Sequence, residues 1–318
     1  MLRYILFRIF FILIVLFVVA TFFYITGRMF LLKRVFRAPY DMKYLFDLSY
    51  NSYKLYVSNI VHNNDWGVAG PNETPVWQFV MPYIKNTLIL NFVALAIYLP
   101  LGVLFGVICS LNRGKFIDKF LYTIMMIPGS IPHFFLILLL IIYLGVRNRI
   151  LPASFPGFGS DLPTLLKGFV IPMIALCSPA IFKFMIVIRG ELNESSDDNY
   201  LLLCHVKGLN TIQTTYRHRL KNNIIAIMPE LTPMFLNVLA GAFFVELIYS
   251  ISGASVLLFR NLMAPIGGVY FVSINFTLVV PLLIFYVGLV LVFGLVVDMV
   301  YYFIDPRIRI GSKKNDIG

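Results

Sequence analysis

The sequence predicts an all-α polytopic membrane protein with six transmembrane helices and an extracytoplasmic loop domain after the first. Three observations carry that prediction. Of 318 residues, 59% are hydrophobic and only 13% are charged, against roughly 25% charged in soluble domains. Six charge-poor runs approach the ~20 residues that a helix needs to cross a hydrocarbon core of about 30 Å. The 30 Phe and 18 Tyr are residues that suit lipid-facing and interfacial positions. Each run must be a helix, because backbone exposed to lipid has to satisfy its own hydrogen bonds.

The first run is Ile9–Gly27, flanked by Arg3, Arg8 and Arg28. It is too long for the apolar core of a signal peptide and no small-x-small cleavage site follows, so it is expected to be retained as a span. The second, Thr87–Leu111, has no charge at all. The third, Phe120–Val146, is interrupted by Pro128 and Pro132. The fourth, Gly168–Ile188, contains Pro172 and, near its end, Lys183. The fifth runs from about Ile224 to Ile251 with Glu230 and Glu246, and the sixth, Phe276–Ile304, holds Pro281 and Asp298. Residues 1–32 thus form an N-terminal transmembrane helix and 33–85 an extracytoplasmic loop or cap. A five-helix core follows over 86–310, with a tail over 311–318. Tyr50, Tyr53, Leu55, Tyr56, Trp66 and Trp77 give the cap aromatic material to fold on. Asn64–Trp77 reads as tight turns followed by an amphipathic return to the membrane.

Charge sets the orientation. With the N-terminus cytoplasmic, the inner segments 1–8, 112–119, 189–223 and 305–318 hold fourteen Lys or Arg against eleven in the outer ones. The positive-inside rule therefore favours both termini in the cytoplasm. The net charge of +11 follows from that placement and from contact with anionic lipid. No basic run with interleaved aromatics offers a nucleic-acid surface. Cys109, Cys177 and Cys204 lie in or beside spans with no CxxC pair, and read as small apolar filler. The four scattered histidines indicate no metal site, and His133 reads as a helix-packing residue.

The most polar interior stretch is Arg189–Asn223, between spans four and five. Ser195-Ser196-Asp197-Asp198 offers a helix start. Tyr200, Leu203, Cys204 and Lys207 follow at i, i+3, i+4 and i+7, the spacing of one helix face. Gly208 suits the left-handed position that ends a helix. Asn210-Thr211 can cap a second helix, on which Ile212, Tyr216 and Leu220 share a face. A connection alone could be far shorter, so the expectation is a docking element of two short helices joined at a glycine.

At these residues the chain resembles the ABC importer permeases, in particular the B-type permease of the oligopeptide/dipeptide/nickel group. Tyr200, Lys207, Gly208 and Leu209 match its Tyr…Lys-Gly-Leu pattern, and His218, Arg219 and Asn222 its His-x-x-x-Asn tail. The likeness covers nearly the whole chain: the Arg-rich start, Trp66-Gly67, Pro75-Val76, Pro172, Ala175-Leu176, the run Glu246–Gly253 and Asp305-Pro306-Arg307-Ile308-Arg309. The chain departs from the family where Leu203 and Cys204 replace small residues and where Asn199 precedes Tyr200.

The resemblance implies a type I ABC importer permease fold in a bacterial cell membrane, importing peptides by alternating access. The 189–223 loop would be the family's EAA loop, with Asn199, Tyr200, Leu203, Cys204, Lys207, Gly208, Leu209, His218 and Asn222 coupling it to ATPase subunits. Glu246, Tyr249, Ser250 and Gly253 would belong to a gate or pore lining. Expected partners are a homologous second permease, two ABC ATPases and an extracytoplasmic binding protein, besides membrane lipid. Nickel or metallophore chelates stand as alternative cargo, and an ion-coupled secondary transporter as an alternative class. The chain is expected to be no enzyme and to bind no cofactor, with ATP and Mg on the partner ATPases. Its one Gly-Lys pair in a loop, Gly114-Lys115, is followed by Phe116 and has Cys109 where a phosphate-binding loop needs its first glycine.

Overall fold

A computed structural model describes residues 2–36, 41–70, 72–195, 199–266, 269–272 and 274–304. Five helices among them are long and apolar enough to cross a membrane: Arg3–Lys33, Val76–Leu111, Leu162–Glu194, Thr211–Ile248 and Phe276–Ile304. A sixth crossing exists if one bent pair counts as a single span. The chain divides into two compact units, residues 1–89 with 251–292 and residues 90–250 with 293–318.

In the first unit, α1 (Leu2–Phe36) packs along α2 (Met42–Asn63). Asp41 caps α2 by accepting from the Lys43 N–H at 3.3 Å, and Asn64 ends it in the left-handed conformation at φ 51°. The residues joining the two helices, 37–40, lie outside the described set. Aromatic packing holds the pair. Tyr24 stacks on Tyr56 with centroids 5.2 Å apart and meets Tyr53 at 5.4 Å and Phe276 at 4.8 Å. Thr21 Oγ1 and Tyr53 Oη share a hydrogen bond of 2.5 Å. Tyr53 and Tyr56, two of the aromatics expected in the cap, pack α2 against the first span and the start of α12 (Phe276–Ile304). The reason is that one face of α2 is aromatic and needs an apolar surface to bury against.

After α2, β1 (Val68–Ala69) pairs antiparallel with β2 (Thr74–Pro75), a two-residue hairpin leading into α3 (Val76–Leu111). Gly67 has φ +91° and approaches α12 so closely that a Cβ there would meet Thr277 Cγ2 at 2.5 Å. Only glycine fits that turn. Also in this unit are α11 (Ala254–Leu262) and the antiparallel pair β3 (Met263–Ile266) and β4 (Val269–Val272).

The second unit is built around α6 (Leu162–Glu194), whose most apolar stretch is 72% buried. Against it pack α4 (Phe116–Gly129), α5 (His133–Leu140), α9 (Leu220–Ile227) and α10 (Leu231–Ile248). Its core joins Val107, Phe184, Ile188, Leu192, Ile227 and Met234. Beside that lies a smaller cluster of Cys109, Phe182 and Met185. All three cysteines are buried and free, in keeping with their reading as apolar filler.

The third expected run is interrupted where its two prolines fall. The run Phe120–Val146 is not a continuous helix: α4 ends at Gly129, and α5, extended by a π-helical stretch over Ile141–Arg147, starts at His133 after a 92° bend. Pro132 disfavours helical backbone at the residue before it, and Pro128 withholds one N–H from the last turn of α4. Gly129 lets the bend press against α6, where a Cβ would overlap the Phe182 ring at 2.3 Å.

Proline also shapes α6. Pro179 lacks the N–H that would bond the Ala175 carbonyl one turn back. His133 supplies the missing donor, its Nδ1 lying 3.0 Å from Ala175 O. A carbonyl only accepts, so the proton sits on Nδ1. The imidazole also lies against α10 at Gly241, where a Cβ would come within 2.6 Å of the ring. His133 is thus the helix-packing residue the sequence suggested.

Candidate functional site

The polar stretch begins inside α6, which continues six residues beyond the predicted end of span four to Glu194. Arg189 opens it. Its Nε donates to Asp118 Oδ1 at 2.8 Å and its Nη2 to Oδ2 at 2.9 Å, while the Gly114 N–H donates to Oδ2 at 3.0 Å. The guanidinium also lies over the Tyr122 ring, 5.7 Å from its centroid. A bidentate pair fixes direction as well as distance. The pair ties the first turn of α4 to α6 where the loop starts.

The far end of α6 needs partners, because the last carbonyls of a helix have none within it. They come from one helical turn further along the chain. Arg219, 8% exposed, donates through Nη2 to Leu192 O and through Nη1 to Thr215 Oγ1 at 3.4 Å. Asn223 Nδ2 reaches Glu191 O at 3.2 Å and Ser195 Oγ at 2.6 Å. On the other side, Ser110 Oγ donates to Asn193 Oδ1 at 3.0 Å. A guanidinium at the negative end of a helix is favoured by charge as well as by hydrogen bonding.

Between these anchors lies α7 (Asn199–Val206). The predicted start at Ser196–Asp198 and the side chains of Asn199 and Tyr200 lie outside the described residues. The expected single face is corrected. Leu201 and Cys204 are buried at 8% and 6% exposure, whereas Leu203 and Val206 are exposed at 63% and 84%. Neighbours in a helix are turned about 100° from each other, and here the core covers the Cys204 edge of the expected face and leaves the Leu203 edge exposed. Cys204 belongs to the inner side, and Leu203 with Val206 forms an outward apolar pair.

Gly208 ends α7 at φ +75°. The Leu209 N–H reaches back to Cys204 O at 3.1 Å and the Lys207 N–H to Leu203 O at 3.1 Å. Nothing lies within 4 Å of a Cβ built on Gly208, so backbone conformation rather than crowding selects glycine. Asn210 then starts α8 (Thr211–Thr214) with a capping box. Its Oδ1 accepts from the Gln213 N–H at 2.8 Å, and Gln213 Oε1 accepts from the Asn210 N–H at 3.3 Å.

From Thr211 the helix runs on to Ile248 through a π turn over Thr215–Arg219, then α9, a 3₁₀ turn over Met228–Glu230, and α10. Loop and span five are therefore one continuous element. Tyr216 and Leu220, expected on one face, both border an apolar cavity of about 520 Å³. The family tail marked His218 and Asn222. His218 is half-buried and Asn222 exposed, whereas Arg219 and Asn223, the next residue in each case, hold the end of α6. Their spacing of four was the readable signal, set against an α6 end that lacks a glycine cap.

The four gate residues divide between the two units. Glu246 and Tyr249 are fully buried in the second. Tyr249 Oη donates to Pro152 O at 2.7 Å, and its carbonyl accepts from the Phe155 N–H at 2.9 Å, clasping the loop before α6. Ser250 is exposed, with φ +59°. In the first unit, Gly253 is buried and precedes α11, and Thr87 Oγ1 accepts from the Ala254 N–H at 2.8 Å.

Residues 102–310 match the family model described as binding-protein-dependent transport system inner membrane component. The chain is 24% identical over 255 residues to a probable peptide ABC transporter permease protein, y4tP, of Sinorhizobium fredii, covering 80% of this chain and 78% of that one. It is 25% identical to the dipeptide transport system permease protein DppB of Lactococcus lactis, covering 82% and 81%. Among solved structures, an inward-facing form of the MetNI methionine ABC transporter superposes with a TM-score of 0.55 at 14% identity, covering 71% of this chain and 96% of that one.

Proposed function

The chain belongs to the binding-protein-dependent transport system inner membrane components, as an ABC importer permease of the oligopeptide/dipeptide type, and from that premise we propose that it imports peptides driven by separate ATPase subunits. Peptide as cargo is supported by the peptide and dipeptide permeases it resembles. The observation that carries the coupling assignment is the anchored, two-faced helix α7. Its outward pair Leu203 and Val206 stands at 63% and 84% exposure, on a segment whose flanks are bonded to α6. An apolar pair in water suits a partner's cleft. Force applied to α7 passes through Gly208 into a helix continuous with span five, and through Arg219 and Asn223 into α6. Two ATPases closing on ATP would thereby rock the spans as rigid bodies between inward-open and outward-open states. The loop faces the cytoplasm in this reading, as do both termini. A second, homologous permease completes the pore and an extracytoplasmic binding protein delivers the cargo.

The test is co-purification from membranes followed by uptake in vesicles. An ATPase pair should accompany the chain, and peptide uptake should require ATP. Uptake by this chain alone, driven by a proton gradient, would overturn the reading in favour of a secondary transporter.

A further inference from the structure

We propose that Lys183 and Glu230, with Asn237, form a contact site in the translocation path that holds the two free ends of a peptide, its carboxylate at Lys183 and its ammonium at Glu230. The inference rests on the peptide-import reading and assigns that cargo a site on this chain.

Three observations carry it. First, the two charges lie at membrane depth and at one level. Lys183 precedes Glu191 by eight residues on α6, and Glu230 follows Asn223, which is bonded to the Glu191 carbonyl, by seven, which at helical rise places them about 12 and 10 Å into the spans from that shared anchor. Second, they border the same cavity of about 350 Å³ between α6 and the Thr211–Ile248 helix, together with Asn237, Met234 and Pro233. That volume lies within the range of roughly 300–1,000 Å³ usual for small-ligand sites. Third, both side chains are exposed, and among the described residues neither has an ion-pair partner. Asp118 and Arg189, nearby on the same unit, are by contrast locked together.

Charged side chains at this depth are costly in hydrocarbon and almost always line water or meet a partner of opposite sign. A lone cation and a lone anion on opposite helices of one cavity match a zwitterion with its charges at its two ends. A peptide with free termini is that molecule. Asn237, able to donate and accept, suits the backbone between them.

The test measures direct binding of tetra-alanine to the purified permease–ATPase complex without the binding protein, alongside its N-acetyl and C-amide forms. Failure to obtain ATP-dependent uptake with the intact system would count against the import reading itself. With uptake established, the wild type should bind tetra-alanine saturably, and either cap should weaken binding about tenfold, the effect of one charge-assisted contact. Lys183→Gln should weaken tetra-alanine to a similar extent yet add little for the amide, because both changes remove one contact. Glu230→Gln should do the same with the N-acetyl form. Lys183→Arg and Glu230→Asp should restore most of the binding. Absence of saturable binding by the wild type overturns the proposal, as do additive effects of cap and mutation. Equal weakening of all three peptides together with loss of the second permease from the complex would also overturn it, making the charges a contact between subunits.

Discussion

Gly208 owes its identity to a dihedral angle. At φ +75°, with nothing within 4 Å of a Cβ placed there, a β-branched residue would carry a backbone strain of about 1–2 kcal/mol. Gly208→Val should therefore leave membrane insertion intact while loosening the end of α7. ATP-driven uptake should fall, and unchanged uptake would remove the loop from its role as lever. Arg189 acts through charge. Asp118 is 2% exposed and its partner 32%. Removing the guanidinium would leave the carboxylate buried and uncompensated, which costs about 3–5 kcal/mol for a fully buried pair and less here because Arg189 is a third in solvent. Arg189→Met should lower the thermal midpoint in detergent. Asp118→Leu in the same background should recover part of the loss, and a double mutant no more stable than Arg189→Met would argue that the pair is not the cause.

At the scale of the element, α6 is a helix with repaired faults. Pro179 strips Ala175 of its hydrogen-bond donor and His133 on α5 replaces it. His133→Ala should then expose an unsatisfied carbonyl, at about 1–3 kcal/mol. Pro179→Ala in that variant returns an N–H to position 179 and should regain stability, whereas the same change in the wild type should gain less. Comparison of thermal midpoints across the four proteins decides it; equal gains would mean that the histidine does not serve as the donor. Hydropathy found the third span but not its shape. A run of apolar residues over Phe120–Val146 has the length of one span, but a 92° bend divides it. Hydropathy sums composition and is blind to the direction of the chain. The two prolines were visible; that Gly129 would let the bend close against Phe182 was not.

At the scale of the whole molecule, the exposed apolar pair of α7, Leu203 and Val206, should control assembly. Leu203→Glu with Val206→Glu leaves the buried side, Leu201 and Cys204, untouched. The permease should still fold and insert, while ATPase subunits should co-purify in much reduced amount. Full retention of the ATPases would place their attachment elsewhere. Arg219 and Asn223 set the opposite limit, since they bind the start of span five back to the end of α6.

What the sequence by itself determined is the membrane class, the approximate spans and the local grammar of the loop. Length and apolarity decide whether a segment can cross a bilayer, and Gly208 and Asn210 act on bonds within a few residues of themselves. Only the tertiary structure decided which side of α7 is buried, how sharply span three bends, that α2 lies on the first span, and that Arg219 and Asn223 hold the end of α6 from 27 and 32 residues away. Those outcomes depend on which surfaces meet. A helical period shows which residues share a face, and only the neighbouring helix settles whether that face looks inward or out.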